Sequence, residues 1–234
     1  MTTLNEATAS ATELSSGGAA RRWRDVPSVF LEFFRSPNRT AAVLPSSQHL
    51  VAPMTAPIPE RGEPVVVELG GGTGVFTEGI QRRLGGRGRH IAFELNPRWA
   101  ELLGQRFPGV EVLCADASEL PRVLAERGLV ADVVVSSVPW EAHAVVDGST
   151  LVDKIAGSLT ADGVMTQLAH RWTQWASPAK RLAAQMRSGF EETHTTRTVW
   201  QNFPPALAYL ARRPRYSAGL DQHDGLAASG AGRE

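Results

Sequence analysis

The run Pro64-Val65-Val66-Val67-Glu68-Leu69-Gly70-Gly71-Gly72-Thr73-Gly74 is a short apolar strand that opens into four glycines and then into the helix-like Val75-Phe76-Thr77-Glu78-Gly79-Ile80. Only residues without a Cβ let a chain turn sharply off a buried strand while presenting bare backbone N–H groups to a ligand at a helix N-terminus. Strand, glycine turn and helix in that order confine the chain to an α/β architecture in which the turn cradles a cofactor. The turn alone fits an adenosyl group, a dinucleotide or a phosphate equally well, so the residues downstream must choose between them.

Two carboxylates do so. Strand-like His90-Ile91-Ala92-Phe93-Glu94 ends on an acid about twenty residues past the turn, where a second parallel strand returns its tip beside the first. Glu94 is placed to accept both ribose hydroxyls, with Leu95 beside it. Val110 to Cys114 reads as a third strand, and Ala115-Asp116-Ala117 sets another carboxylate at its tip, placed for an adenine amino group. A fourth strand, Ala131 to Ser136, runs into Ser137-Val138-Pro139-Trp140. The cofactor-contacting set on this reading is Glu68, Gly70, Gly71, Gly72, Thr73, Gly74, Glu94, Leu95, Asp116, Ala117 and Ser136. Each acid has a plainer alternative: Glu68 bonds backbone within the cradle, and Glu94 and Asp116 cap the helices that follow them.

In these motifs, E-L-G-G-G-T-G, F-E-L-N, A-D-A and S-S-V-P-W in order, the chain resembles the class I S-adenosylmethionine-dependent methyltransferases from about Arg22 to Arg213. Within that superfamily it is most similar to bacterial phospholipid (phosphatidylethanolamine) N-methyltransferases and more distantly to rRNA adenine dimethyltransferases. Arg35-Ser36-Pro37-Asn38-Arg39 with Leu44-Pro45-Ser46-Ser47, and Phe203-Pro204-Pro205-Ala206, resemble segments of the lipid enzymes. The resemblance implies S-adenosyl-L-methionine as cofactor, methyl transfer as the reaction and an amine as acceptor, a phosphatidylethanolamine-like headgroup being favoured. A soluble specialised metabolite methylated at N, O or C is the alternative. An rRNA substrate or a non-catalytic binding module ranks lower.

A methyl sulfonium is already electrophilic, so the protein must hold the nucleophile in line, about 3 Å from the methyl carbon, and exclude water. The bend at Ser137, Pro139 and Trp140 can offer backbone carbonyls to an amine, and Trp140 suits the growing positive charge. Relatives usually carry Asn or Asp here, or a serine-containing form in the lipid enzymes, and a serine lacks the amide that grips a planar base. Glu141 and His143, just beyond, are candidates to take a proton, or else are solvated helix-start residues. Trp140, Trp172 and Trp175 either wall the acceptor pocket or fill core.

The expected fold is a Rossmann-like, doubly wound α/β sheet, mostly parallel with an antiparallel C-terminal hairpin, and with N-terminal helices over the site. Residues 1–20 and 217–234, rich in Ser, Ala and Gly without apolar periodicity, read as disordered tails; 21–60 as a helical roof; 61–216 as the methyltransferase domain. One roof helix carries Val29, Phe30, Phe33 and Phe34 on one face; a second, Ser46 to Ala52, stops near Pro53. Further on, Thr150–Leu159 and Pro178–Ser188 read as helices. Gly163–Leu168, Glu192–Val199 and Leu207–Leu210 read as strands.

Across 234 residues, 24 basic and 24 acidic side chains cancel, which disfavours a nucleic-acid partner. The single cysteine, Cys114, read as buried in the third strand, excludes a disulfide framework and a thiolate metal cluster, and no metal site is expected. No apolar run approaches the roughly twenty residues of a membrane span, and no secretory signal is recognisable. The chain reads as cytoplasmic. Peripheral contact at the inner membrane face through the basic, aromatic segment from Arg21 to Phe34 is set against packing of that face on the domain.

Overall fold

The computed structural model describes residues 45–139, 148–171, 176–202 and 204–216, all within one compact unit, Val43–Glu234. The expected tails, the roof helix around Val29–Phe34, and Trp140, Glu141, His143, Trp172 and Trp175 lie outside the described residues. The strands are β1 Val65–Leu69, β2 Arg89–Phe93, β3 Glu111–Leu113, β4 Ala131–Ser136, β5 Leu159–His170, β6 Phe190–Thr195 and β7 Ala206–Pro214. They form one seven-stranded sheet in the order β3-β2-β1-β4-β5-β7-β6. β1 to β5 pair in parallel, and β7 runs antiparallel to both β5 and β6. This is the doubly wound, mostly parallel sheet with an antiparallel C-terminal pair that the sequence predicts.

The helices are α1 Pro45–Thr55, α2 Val75–Leu84, α3 Pro97–Arg106, α4 Leu120–Glu126, α5 Leu151–Ala156 and α6 Ser177–Gly189. They cover both faces of the sheet, which is why β1 and β4 are near-continuous apolar runs instead of alternating ones. One core joins Val67, Leu69, Phe93, Val134 and Met165 to Leu124, Ile155 and Met186 of α4, α5 and α6. The other joins Val66, Val133, Val135 and Ala208 to Met54 of α1 and Ile80 of α2. Full burial of one such side chain is worth about 1.5–3 kcal/mol, so both layers hold the sheet between them. α1 and α2 approach closely at Gly79, where a Cβ would lie 2.1 Å from Val51 Cγ1.

Several boundaries differ from the sequence expectation. The helix expected to stop near Pro53 runs on to Thr55. Pro53 removes the donor for the His49 carbonyl, but His49 is exposed and water can serve it. Beyond Pro53 the last turn is pulled onto the sheet by buried Met54 and by Thr166 Oγ1, which donates to the Met54 carbonyl at 2.9 Å. Cys114 is exposed, because β3 ends at Leu113 and the chain leaves the sheet at once. Leu159 begins β5 instead of ending a helix. α5 closes at Ala156, after Thr150 and Asp153 have capped its start reciprocally. β5 begins earlier than Gly163 because it bulges: Ala131 pairs with Leu159 but Val133 pairs with Val164. β6 begins at Phe190 and β7 reaches Pro214, both earlier or later than the sequence suggested.

Candidate active site

Parallel strands deliver their C-terminal tips to one edge of the sheet, and β1, lying between β2 and β4, sits where the winding reverses. The glycine turn follows it. Gly70, Gly72 and Gly74 have φ of 84°, 50° and 84°, a region in which side-chain-bearing residues are strained by about 1–2 kcal/mol each. The amides of Gly70 and Gly71 both donate to the Phe93 carbonyl, at 2.8 and 3.1 Å, tying the turn to β2. On the other side Ser137 N–H donates to the Leu69 carbonyl at 2.9 Å and Ser137 Oγ to the Gly70 carbonyl at 2.7 Å. A Cβ on Gly71 would meet Leu103 of α3 at 2.5 Å, whereas at Gly72 the nearest atom is 3.9 Å away. The turn is packed beneath and open above Gly72, the shape a cofactor cradle requires.

Glu94 reaches that opening. It is 8 % exposed, and its two oxygens accept from Gly72 N–H at 2.7 Å and Asn96 N–H at 2.8 Å. A carboxylate has about four acceptor positions, so two are left for a ligand's hydroxyls. The helix cap that competed for Glu94 belongs to Asn96, whose side chain accepts from Arg98 and Trp99 N–H. Asp116 does cap: one oxygen accepts from Ser118 N–H at 2.8 Å, with Glu119 closing the reciprocal bond and Ala117 opening the 3-10 turn. Leu95 is 37 % exposed beside Glu94.

Other predicted residues sit under the cradle. Glu68 is 1 % exposed and accepts from Thr77 Oγ1 at 2.7 Å, with His90 Nε2 3.2 Å away. Gln81 Nε2 lies 3.0 Å from His90 Nδ1, so the carboxylate ties β1 to α2 and β2. Ser136 is fully buried at the end of β4. Pro139 is placed on the bend beyond Ser137, while Trp140, Glu141 and His143 fall outside the described residues.

The sequence missed several contributors. Arg106 of α3 donates to the Thr73 carbonyl at 3.1 Å and to Glu78 at 3.1 Å, stapling the turn from outside. Together with Trp99 and Leu102 it lines a cavity of about 420 Å³ against Gly72 and Thr73; their i, i+3, i+7 spacing was the available signal. Gln167 of β5 donates to the carbonyl of Val138 in the bend at 3.0 Å. His170, the last residue of β5, is held below the usual imidazole pKa by desolvation, partly offset by donation to the Pro204 carbonyl. Asn202 Nδ2 donates to the same carbonyl at 2.6 Å.

A sheet in this order, with a glycine turn at the winding reversal and a strand-end carboxylate reaching into it, is the architecture of class I S-adenosylmethionine-dependent methyltransferases. Solved structures agree on the fold. The precorrin-6y C5,15-methyltransferase of Geobacter metallireducens superposes with a TM-score of 0.54 at 15% identity, covering 73% of this chain and 91% of that one. An S-adenosylmethionine-dependent O-methyltransferase of Thermotoga maritima gives 0.53 at 16%, covering 78% and 70%. Aeropyrum pernix fibrillarin, with natively bound S-adenosyl-L-methionine, gives 0.52 at 18%, covering 71% and 76%. No family model matches the chain. The ornithine lipid N-methyltransferase of Singulisphaera acidiphila is 30% identical over 185 residues, 77% of this chain and 92% of that protein. The chain belongs to the class I S-adenosylmethionine-dependent methyltransferases and is related within them to the lipid N-methyltransferases. It is an enzyme, with S-adenosyl-L-methionine as its cofactor.

Proposed function

We propose that the protein methylates the amine of a lipid headgroup, of the phosphatidylethanolamine or ornithine-lipid kind. The observation that carries this beyond methyl transfer is the bend after β4. Ser137 donates its hydroxyl proton to the Gly70 carbonyl, so the described part of the bend has no side-chain donor left and offers an amine acceptor oxygens, the backbone carbonyls and the serine's own lone pairs. A carbonyl orients the N–H of a tetrahedral amine and leaves its lone pair aimed at the donor, whereas a planar base is better held by a side-chain amide. The relationship to a lipid N-methyltransferase over most of that protein's length supports the same class of acceptor.

Bound S-adenosylmethionine supplies the electrophilic methyl. Gly70, Gly71, Gly72 and Gly74 would give it a floor without side chains, and Glu94, already pinned by two amides, would take the ribose hydroxyls. Asp116 would receive the adenine amino group, and Leu95 would lie against the ring. Ala117 would border the same pocket, with Ser136 buried at the tip of β4 and Glu68 bracing it from below. At the acceptor side Ser137 and Val138 would direct the amine; the indole of Trp140 suits the growing charge, and Glu141 or His143 would take the proton an ammonium must lose.

The test is to incubate the protein with labelled S-adenosylmethionine and separate pools of phosphatidylethanolamine vesicles, ornithine-lipid vesicles, soluble amines and RNA. Label is expected in a lipid pool; label confined to soluble amines or RNA refutes the lipid reading. Gly72→Asp serves as the blank, since its carboxylate would enter the open side of the cradle beside Glu94. Membrane contact through residues 21–34 is checked by sedimentation with anionic vesicles before and after removal of residues 1–36.

A further inference from the structure

The bend that receives the acceptor is held from the β5 side as well as from the cradle. Gln167 is 1 % exposed and pairs with Ser136 in the β4–β5 register. Its Nε2 lies 3.0 Å from the carbonyl oxygens of both Val138 and Leu168. Both neighbours are pure acceptors, so the carboxamide has one sensible orientation: the NH2 faces them and Oε1 faces away. Oε1 is buried and has no hydrogen-bond partner among the described residues. An unpaired buried oxygen is unfavourable, and methionine would fill the same space without it. What glutamine supplies, and methionine lacks, is a grip on the Val138 carbonyl.

We propose that Gln167 is a positioning residue for methyl transfer: by holding the Val138 carbonyl it sets the acceptor bend against the cofactor cradle, to which Ser137 is already tied. This rests on the reading of that bend as the place where the amine is received. The Val138 oxygen has two lone pairs, so it takes the Gln167 N–H and still directs one N–H of the acceptor. Two ties from opposite sides leave the bend little freedom, and in-line transfer needs that, because displacement by about 1 Å costs on the order of a hundredfold in rate.

The experiment compares Gln167→Met and Gln167→Glu in the full chain. Methionine keeps the volume and loses the bonds; glutamate keeps the shape and, when ionised, turns one oxygen toward both carbonyls. Turnover with an amine lipid in vesicles is expected to fall roughly 10- to 100-fold in Gln167→Met. The loss should be greater in Gln167→Glu at a pH where its carboxyl is ionised, and smaller at lower pH, where the protonated acid can donate to one carbonyl. Calorimetric affinity for S-adenosylhomocysteine and the melting temperature of Gln167→Met should stay near the parent's. A residue that only fills space predicts parent-like turnover in the methionine variant, and that result overturns the proposal. Should the glutamate variant not fold, the methionine variant decides alone. Amide exchange of peptides spanning Ser137 and Val138 reads the same grip without substrate. It should accelerate in Gln167→Met while peptides from β1 and β2 do not, and unchanged exchange also overturns the proposal. Absence of labelled lipid with the parent protein refutes the lipid reading alone and leaves the exchange measurement to judge Gln167.

Discussion

Replacing Glu94 by glutamine isolates what the strand-end carboxylate does. In the protein both oxygens are already fixed, by Gly72 N–H at 2.7 Å and Asn96 N–H at 2.8 Å, so no rotamer freedom is lost when a ligand arrives. Each oxygen then has one acceptor position left for one ribose hydroxyl. Glutamine converts one oxygen to an NH2 without a lone pair. Whichever way the amide sits, one hydroxyl loses a charged acceptor and one of the two pinning amides loses its partner. A hydrogen bond to a charged group is worth about 1.5–3 kcal/mol, which at 1.4 kcal/mol per decade weakens S-adenosylhomocysteine roughly 10- to 150-fold. The orphaned amide also lowers the melting temperature by about 2–12 °C. Calorimetry below that temperature measures the affinity, and a ligand lacking the 2′-hydroxyl completes a cycle. The parent should lose affinity for the deoxy ligand, and Glu94→Gln should lose little more. Binding within twofold of the parent, or two fully additive losses, refutes the ribose assignment.

Gly70→Ala places a Cβ at positive φ and 3.0 Å from Ser137 Oγ. Backbone strain plus the displaced Ser137 bond should cost about 2–3 kcal/mol in urea denaturation and weaken both S-adenosylhomocysteine binding and turnover. Thr77→Val, nearly isosteric, removes the hydroxyl that bonds buried Glu68. A loss of about 1.5–3 kcal/mol of stability is expected with S-adenosylhomocysteine affinity unchanged, and a selective loss of affinity instead would move Glu68 into the binding site. His170 binds a proton less readily folded than unfolded. Its contribution to stability is therefore complete above the unfolded value near 6.5 and lost as pH falls through the lowered folded value. Denaturation across that interval should show a shallower acid slope in His170→Gln, and identical slopes refute the assignment.

What the sequence made legible was the central half of the sheet and the tips it delivers. β1, β2 and β4 are buried on both faces, so their apolar runs are nearly continuous and end at the residues predicted within one position. Glu94 and the glycines followed from those tips. The sequence was less informative wherever tertiary contacts overrode a local signal. Asp162-Gly163 has the composition of a turn, yet β5 passes through it as a bulge because β4 offers a partner on both sides. Pro53 reads as a stop, yet buried contacts beyond it keep the helix going. Gln167 and His170 carried no pattern at all. A lone polar residue in an apolar strand acquires meaning only when a neighbouring strand brings a carbonyl to it.

The position of β7 has a consequence for how this protein is made. The last of the described strands to emerge from the ribosome is not an edge; it fills the gap between β5 and β6 and contacts both along most of its length. Until residues 206–214 are synthesised, the flank of β5 is an open template of unpaired amides and carbonyls, and nascent copies can pair with one another through it. A chain terminated just before Ala206 should thus be captured by chaperones or precipitate, even though every cofactor-facing strand is already present.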